Sequence, residues 1–155
     1  MDALPPPPQV PAPLARATRA PTPGRHALYV EAFGKGGLWG LGYDYQIHPR
    51  VALGGAVSYY ALSGDHVAAL APYLGARLLG QGRHRWFAHA GPLLMLQRTP
   101  SPTPEWAGRS EVGVSAQLSS GYEYRSRVLV RAALMGTVGK GGPLPWAGVS
   151  LGWAP

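Results

Sequence analysis

The sequence predicts an all-β protein, a closed antiparallel up-and-down transmembrane β-barrel of about eight strands. Apolar runs of about ten residues recur from residue 26 onward, separated by short polar or Gly/Pro clusters, and almost none has helical periodicity. Only 14% of the residues are charged although 46% are hydrophobic. The connections between runs are too short for the crossover helices that parallel strands need. Together these observations favour an antiparallel meander that closes on itself.

The first segment, residues 1–24, differs in composition from the rest. It holds eight of the 17 prolines and almost no large apolar side chains, which predicts an extended, flexible tail on the periplasmic side. Residues 25–155 are then the outer-membrane barrel. No apolar run is long enough for a transmembrane helix, and the N-terminus has no apolar h-region. We therefore expect that the signal peptide needed for export is absent from this sequence and that Met1 is an added start residue.

Eight strands are predicted, in order, at 26–34, 38–48, 51–61, 68–79, 85–97, 111–124, 127–138 and 145–153. The first two are joined by a glycine-rich turn, and the second and third by three residues, so both pairs are predicted hairpins. The fourth strand overlaps the one segment with helix propensity, residues 65–79. Pro72 and Gly75 argue against a continuous helix there.

Alternation along the predicted strands indicates which face meets lipid. In the sixth strand Val112, Val114 and Leu118 alternate with small or polar residues such as Gly113 and Ser115. A soluble barrel would turn its large apolar side chains inward and its charges outward. Here the charged residues are too few to solvate an outer wall, and those within strands share the face of the small residues. The pattern predicts an apolar outer wall in contact with lipid and a polar lumen.

Charged residues within the strands are predicted to form an internal network. Isolated buried ions are costly, and this set contains both signs. The members are Glu31, Asp44, Arg77, Glu123 and Arg131, with His89 and Gln117 nearby. Since eight strands leave an interior that side chains about fill, the network is predicted to brace a closed lumen. The alternative is a narrow polar channel or a proton-coupled site.

Aromatic residues on the opposite face are predicted to form a girdle at the membrane interface. They share one parity and lie toward strand ends, where interfacial aromatics belong. These residues are Tyr43, Tyr45, Trp86, Tyr122, Tyr124 and Trp153.

The connections indicate an orientation. With the N-terminus in the periplasm, the connections at 48–50, 80–85 and 124–127 are periplasmic, and they are short and basic. The longest connection, 98–109, then faces outward, as outer-membrane barrels require. In this interpretation the periplasmic arginines are Arg16, Arg19, Arg25, Arg50, Arg83, Arg85, Arg125 and Arg127. They are assigned to phospholipid headgroups, with a docking surface for an acidic partner as the alternative.

Three segments resemble small bacterial outer-membrane β-barrel proteins of the eight-stranded type. They are LYVEAFGKGGLWGLGYDYQI, the following HPRVALGGAVSYY, and the ending WAGVSLGWAP. The ending is similar to a closing strand with an aromatic assembly signal, which would be Trp153. Ala154 and Pro155 follow that residue, a departure from the usual terminal aromatic. The resemblance implies a membrane location and barrel architecture, and it implies no activity.

No catalytic site is predicted. Ser63, Asp65 and His66 lie in one loop, and a lipid-modifying barrel enzyme needs a Ser/His/acid set near the outer rim. Spacing this short rarely gives triad geometry, and all three types are ordinary in loops. The histidines share no ligand spacing and the chain lacks cysteine, so neither a metal nor a cofactor is expected.

The net charge of +7 does not indicate a nucleic-acid partner, because the basic residues are scattered and form no recognition motif. The expected function is that of a non-enzymatic outer-membrane barrel with a structural or interaction role. Its partners would be outer-membrane lipid and, through the proline-rich tail, a periplasmic or envelope protein. Alternatives are a narrow pore or small-solute channel, a lipid-modifying enzyme and a soluble lipocalin-like binder.

Overall fold

The computed structural model describes residues 24–80, 82–100, 108–139 and 142–155. It is a closed barrel in which each strand pairs antiparallel with the next and the first pairs with the last. The strands are β1 (His26–Gly34), β2 (Gly37–His48), β3 (Val51–Leu62), β4 (Asp65–Leu79), β5 (His84–Thr99), β6 (Arg109–Arg125), β7 (Val128–Gly139) and β8 (Gly142–Trp153). The predicted fold class is therefore confirmed. The largest boundary differences are at β4 and β8, which begin three residues earlier than predicted.

The predicted proline-rich tail, apart from Gly24, lies outside the described residues, as do positions 101–107 of the longest connection.

The wall of the barrel has opposite chemistry on its two faces. Successive residues of a strand point to opposite sides of the sheet. On β1, Ala27 and Tyr29 are buried while Leu28 and Val30 are exposed, and on β7 Leu134 is 73% exposed. The outer wall is thus built largely from exposed Leu, Val, Trp and Tyr side chains, whereas buried charged residues lie in the lumen.

The two ends of the barrel differ. We call the end at which β1 begins and β8 ends the terminal end, and the opposite end the loop end. The terminal end carries the turns after β2, β4 and β6. At the loop end, β3 and β4 are joined by Ser63 and Gly64 with φ of 53° and 91°, the left-handed values of a tight hairpin turn. The two longest strands, β5 and β6, form the hairpin whose ladder reaches Thr99–Arg109 at this end.

The seam that closes the barrel is short. Its ladder runs from Leu28–Trp153 to Ala32–Val149, whereas the β5–β6 ladder runs from His84–Tyr124 to Thr99–Arg109. Just inside the seam, Ala154 is 1% exposed and packs with Ala27, Tyr29 and Leu129. Ala154 therefore turns inward at the terminal mouth.

Gly121 lies where β6 and β7 come so close together that a larger residue is expected to clash. A Cβ there would lie 2.1 Å from the carbonyl oxygen of Ala132 and 2.7 Å from the Cα of Ala133. Because these are backbone atoms, Gly121→Ala is expected to lower the free energy of unfolding by about 1–3 kcal/mol, measured by urea unfolding in micelles. Gly113→Ala on the same strand is the control, since its Cβ would meet Met95 at 3.8 Å. Equal losses for both variants would contradict this explanation.

Candidate functional site

An ion-pair cluster crosses the lumen near the terminal end. Asp44 of β2 is fully buried, and its Oδ1 accepts a hydrogen bond from Nη1 of Arg125 at 2.9 Å. Its Oδ2 accepts from Arg131 of β7 and, at 3.4 Å, from the hydroxyl of Tyr73. Arg131 also donates through Nε to Oε2 of Glu123 at 2.7 Å. One carboxylate and two guanidinium groups thus tie β2, β6 and β7 together across the interior.

A second cluster fills the lumen toward the loop end. Lys35, in the β1–β2 turn, folds inward, and its Nζ donates to Oε1 of Glu31 at 2.7 Å. Its backbone N–H donates to the other carboxylate oxygen at 2.9 Å. Gln117 of β6 donates to the Lys35 carbonyl at 2.8 Å, and Ser150 of β8 approaches Glu31 at 3.5 Å. The turn is therefore fixed to β1 and β6 from inside the barrel, and Ser150 adds a contact from β8 to Glu31.

An aromatic layer separates the two charged clusters. The hydroxyls of Tyr29 and Tyr73 are 2.9 Å apart and hydrogen-bonded. The ring of His89 stacks on Tyr73 and Phe87, with centroid distances of 4.3 and 4.4 Å. A Cβ at Gly42 would lie 2.1 Å from the Tyr29 ring, so glycine leaves the room that this ring occupies. Side chains fill this level of the lumen, as the size of an eight-stranded barrel dictates.

The structure divides the predicted network between these layers. Asp44, Glu123 and Arg131 meet in the terminal cluster, Glu31 and Gln117 meet in the loop-end cluster, and His89 lies in the aromatic layer.

Arg77 departs from the expectation. Its side chain is half-buried and donates from Nη1 to the carbonyl of Pro49 at 2.6 Å. Among the described residues it forms no ion pair with a carboxylate. The reason is its height in the barrel: Arg77 lies close to the terminal mouth, so its long side chain reaches the β2–β3 turn instead of the acids.

Three cations of the lumen were not predicted there. Arg85 and Arg125 were expected at headgroups, yet both are buried and point inward, Arg125 onto Asp44 and Arg85 toward Glu123 at 3.7 Å. Continuing the alternation of β5 and β6 to their terminal ends would have identified both. Lys35 carries no such signal, because a residue in a turn has no strand parity.

The predicted girdle residues all lie on the outer wall at the terminal end. Trp86 and Trp153 are 52% and 60% exposed there. Two histidines form similar contacts with girdle tyrosines. His26 is hydrogen-bonded to the Tyr43 hydroxyl at 2.6 Å, and His84 is hydrogen-bonded to the Tyr122 hydroxyl. The remaining members, Tyr45 and Tyr124, pack against the same two histidines at 4.9 and 5.2 Å. Exposed Phe33, Trp39 and Tyr59 lie at the loop end.

The residues considered for a catalytic triad do not bond to one another. His66 Nδ1 bonds the Tyr59 hydroxyl at 2.7 Å, and Asp65 accepts a hydrogen bond from Gln97 at 3.0 Å. Ser63 occupies the tight turn. Within the described ranges, no His, Asp and Glu side chains group closely enough to hold a metal ion. The same ranges contain no helix long and apolar enough to cross a membrane.

Solved structures share this architecture. The N-terminal β-barrel domain of Pseudomonas aeruginosa OprF superimposes with a TM-score of 0.64 at 19% identity, over 86% of this chain and 100% of that chain. Neisserial surface protein A (NspA) matches with a TM-score of 0.47 at 13% identity, over 83% of this chain and 89% of that one. No protein-family model and no curated protein matches the chain. The likeness to the OprF domain shows that this chain has the fold of a small outer-membrane β-barrel.

Proposed function

We propose that this protein is a non-enzymatic barrel of the bacterial outer membrane with a structural or interaction role. The observation that carries the proposal is the combination of an apolar outer wall with a lumen crossed by buried ion pairs. Leu118, Leu134 and Leu151 are each more than half exposed on the outer face of their strands. Lipid solvates such a wall, and water does not.

A closed lumen supports a structural role over a conducting one. The loop-end cluster, the aromatic layer and the terminal cluster follow one another along the barrel axis. Each contains side chains that are more than nine-tenths buried, such as Glu31, Tyr29 and Arg131. A solute would have to displace all three layers in order to pass. We therefore expect the protein not to conduct.

The charges support an orientation with the terminal end in the periplasm. Arg25, Arg50, Arg83 and Arg127 are exposed at that end, where they would bind the phosphates of inner-leaflet phospholipids. The proline-rich tail precedes residue 24 and would enter the periplasm from the same end. There it would tether the barrel to an envelope protein or cell-wall layer.

Heat modifiability and bilayer conductance test this function together. The full chain, folded into detergent micelles, is expected to change its mobility on a denaturing gel after boiling, because a closed barrel binds less detergent than the unfolded chain. Reconstituted in planar bilayers, it is expected to give no conductance steps. Regular steps would identify a narrow pore instead. Solubility in plain buffer without a mobility change would contradict the membrane location.

A further inference from the structure

The terminal half of the lumen holds more positive than negative charge. Counting the described residues, four arginines face two carboxylates in this region. A buried charge without a partner is costly. In a buried ion pair, the attraction offsets the cost of desolvation only when the remaining polar atoms of both groups are also hydrogen-bonded. The cations are Arg77, Arg85, Arg125 and Arg131, and the anions are Asp44 and Glu123.

Several buried nitrogen atoms of this region lack a hydrogen-bond partner among the described residues. Arg125 Nε, Arg131 Nη1, Arg85 Nη1 and His89 Nδ1 are buried and have no hydrogen-bond partner within the described part of the chain. These four side chains are all more than nine-tenths buried. The three arginine nitrogens are charged donors, and a buried charged donor without a hydrogen bond is costly. A species that accepts hydrogen bonds at this position would relieve that cost.

Three of these side chains line one small cavity. Its wall includes His89, Arg125 and Arg131, together with Arg77 and Glu123. The cavity has a volume of about 10 Å³, room for the centre of one water-sized sphere. Phosphate, sulfate and organic acids are too large for it, and chloride, which is larger than water, fits once the half-buried Arg77 side chain moves toward the mouth. Arg77 is only half-buried and reaches the β2–β3 turn at the terminal end, which gives a small ion a way in.

We propose that this cavity binds a monatomic anion of chloride size, held by Arg77, Arg125 and Arg131. Chloride accepts hydrogen bonds from several donors at once, and it also offsets the surplus positive charge. Water would satisfy the donors but would leave that charge uncompensated. A cation is disfavoured because the one carboxylate of the lining, Glu123, is already paired with Arg131.

Thermal unfolding at constant ionic strength tests the site. The full chain in a non-ionic detergent is compared in sodium chloride, sodium bromide and sodium gluconate, whose anion is too large for the cavity. Chloride and bromide are expected to raise Tm by a few degrees in a saturable manner, since a ligand that binds only the folded state stabilises it. The same Tm in all three salts would overturn the proposal.

Two variants separate the site from a general salt effect. Arg77→Gln is expected to fold, because Arg77 is half-buried and pairs with no carboxylate, and to lose the saturable response to chloride. Arg109→Gln, at an exposed position of the loop end, should keep the full response. A chloride response that both variants retain, or one that rises without saturation, would overturn the proposal.

Crystals grown in bromide should show anomalous density beside Arg125 and Arg131, and an ordered water there without anomalous signal would equally overturn it.

Discussion

Replacing Asp44 by asparagine is expected to lower the free energy of unfolding by about 3–5 kcal/mol. The side chain keeps its size, but the carboxylate that pairs with both Arg125 and Arg131 is lost. Two guanidinium groups then stay buried beside a neutral amide, and only Arg131 retains an acid, Glu123. Equilibrium unfolding in urea, followed by tryptophan fluorescence in phospholipid vesicles, measures the change.

The exposed ion pair at the loop end provides the control for Asp44. Arg109 and Glu111 form a salt bridge with side chains that are 78% and 54% exposed. Exposed pairs contribute little, so Glu111→Gln is expected to change stability by at most about 1 kcal/mol. If Asp44→Asn costs no more than Glu111→Gln, the terminal cluster does not brace the barrel.

Leu118→Arg is expected to destabilise the protein by about 2–4 kcal/mol in a lipid bilayer. Leu118 points outward from the middle of β6, where it pairs with Ala90 of β5 and Gly136 of β7. Arginine at this depth places a charge in the hydrocarbon region, and its side chain must reach far to meet headgroups. Urea unfolding from phospholipid vesicles gives the magnitude.

Val112→Arg is the matched control for this substitution. Val112 lies on the same strand and the same face as Leu118 but closer to the loop end, and it is 76% exposed. The cost of arginine near a membrane interface falls to about 0–1 kcal/mol. Equal effects of the two substitutions would argue against a depth-dependent lipid environment. A Leu118→Arg variant of full stability would mean that this wall faces water.

The fold was predictable because its determinants are local. Alternation from Gly113 to Glu123, broken only at Ser120, specifies a strand with one small or polar face and one apolar face. Alternation also prevails over local helix propensity, because residues 65–79, which have that propensity, form β4. Around Pro72, which has no N–H to donate, the β4–β5 ladder is interrupted between Leu70 and Leu74.

The partners within the lumen were less predictable, because they depend on how far each strand is staggered against its neighbours. Asp44 and Arg131 are 87 residues apart in the chain. Alternation places both side chains inside, but it does not give the height of either along the barrel axis. Arg77 is on the predicted face of its strand, but it lies too close to the terminal mouth to pair with the carboxylates. Lys35 enters from a turn, where its direction depends on a backbone in which neighbouring Phe33 has a φ of 51°.

The β1–β8 seam joins the two strands that are most distant in the chain, and this has a consequence for biogenesis. Seven of the eight ladders join strands that are neighbours in the chain, so they can zip up as successive hairpins, while the eighth must wait for the two most distant strands. Until then β1 and β8 present unpaired backbone groups, which are templates for aggregation. The protein is therefore most prone to aggregation before the β1–β8 ladder forms. A factor that assists its assembly would act by covering the edges of these two strands.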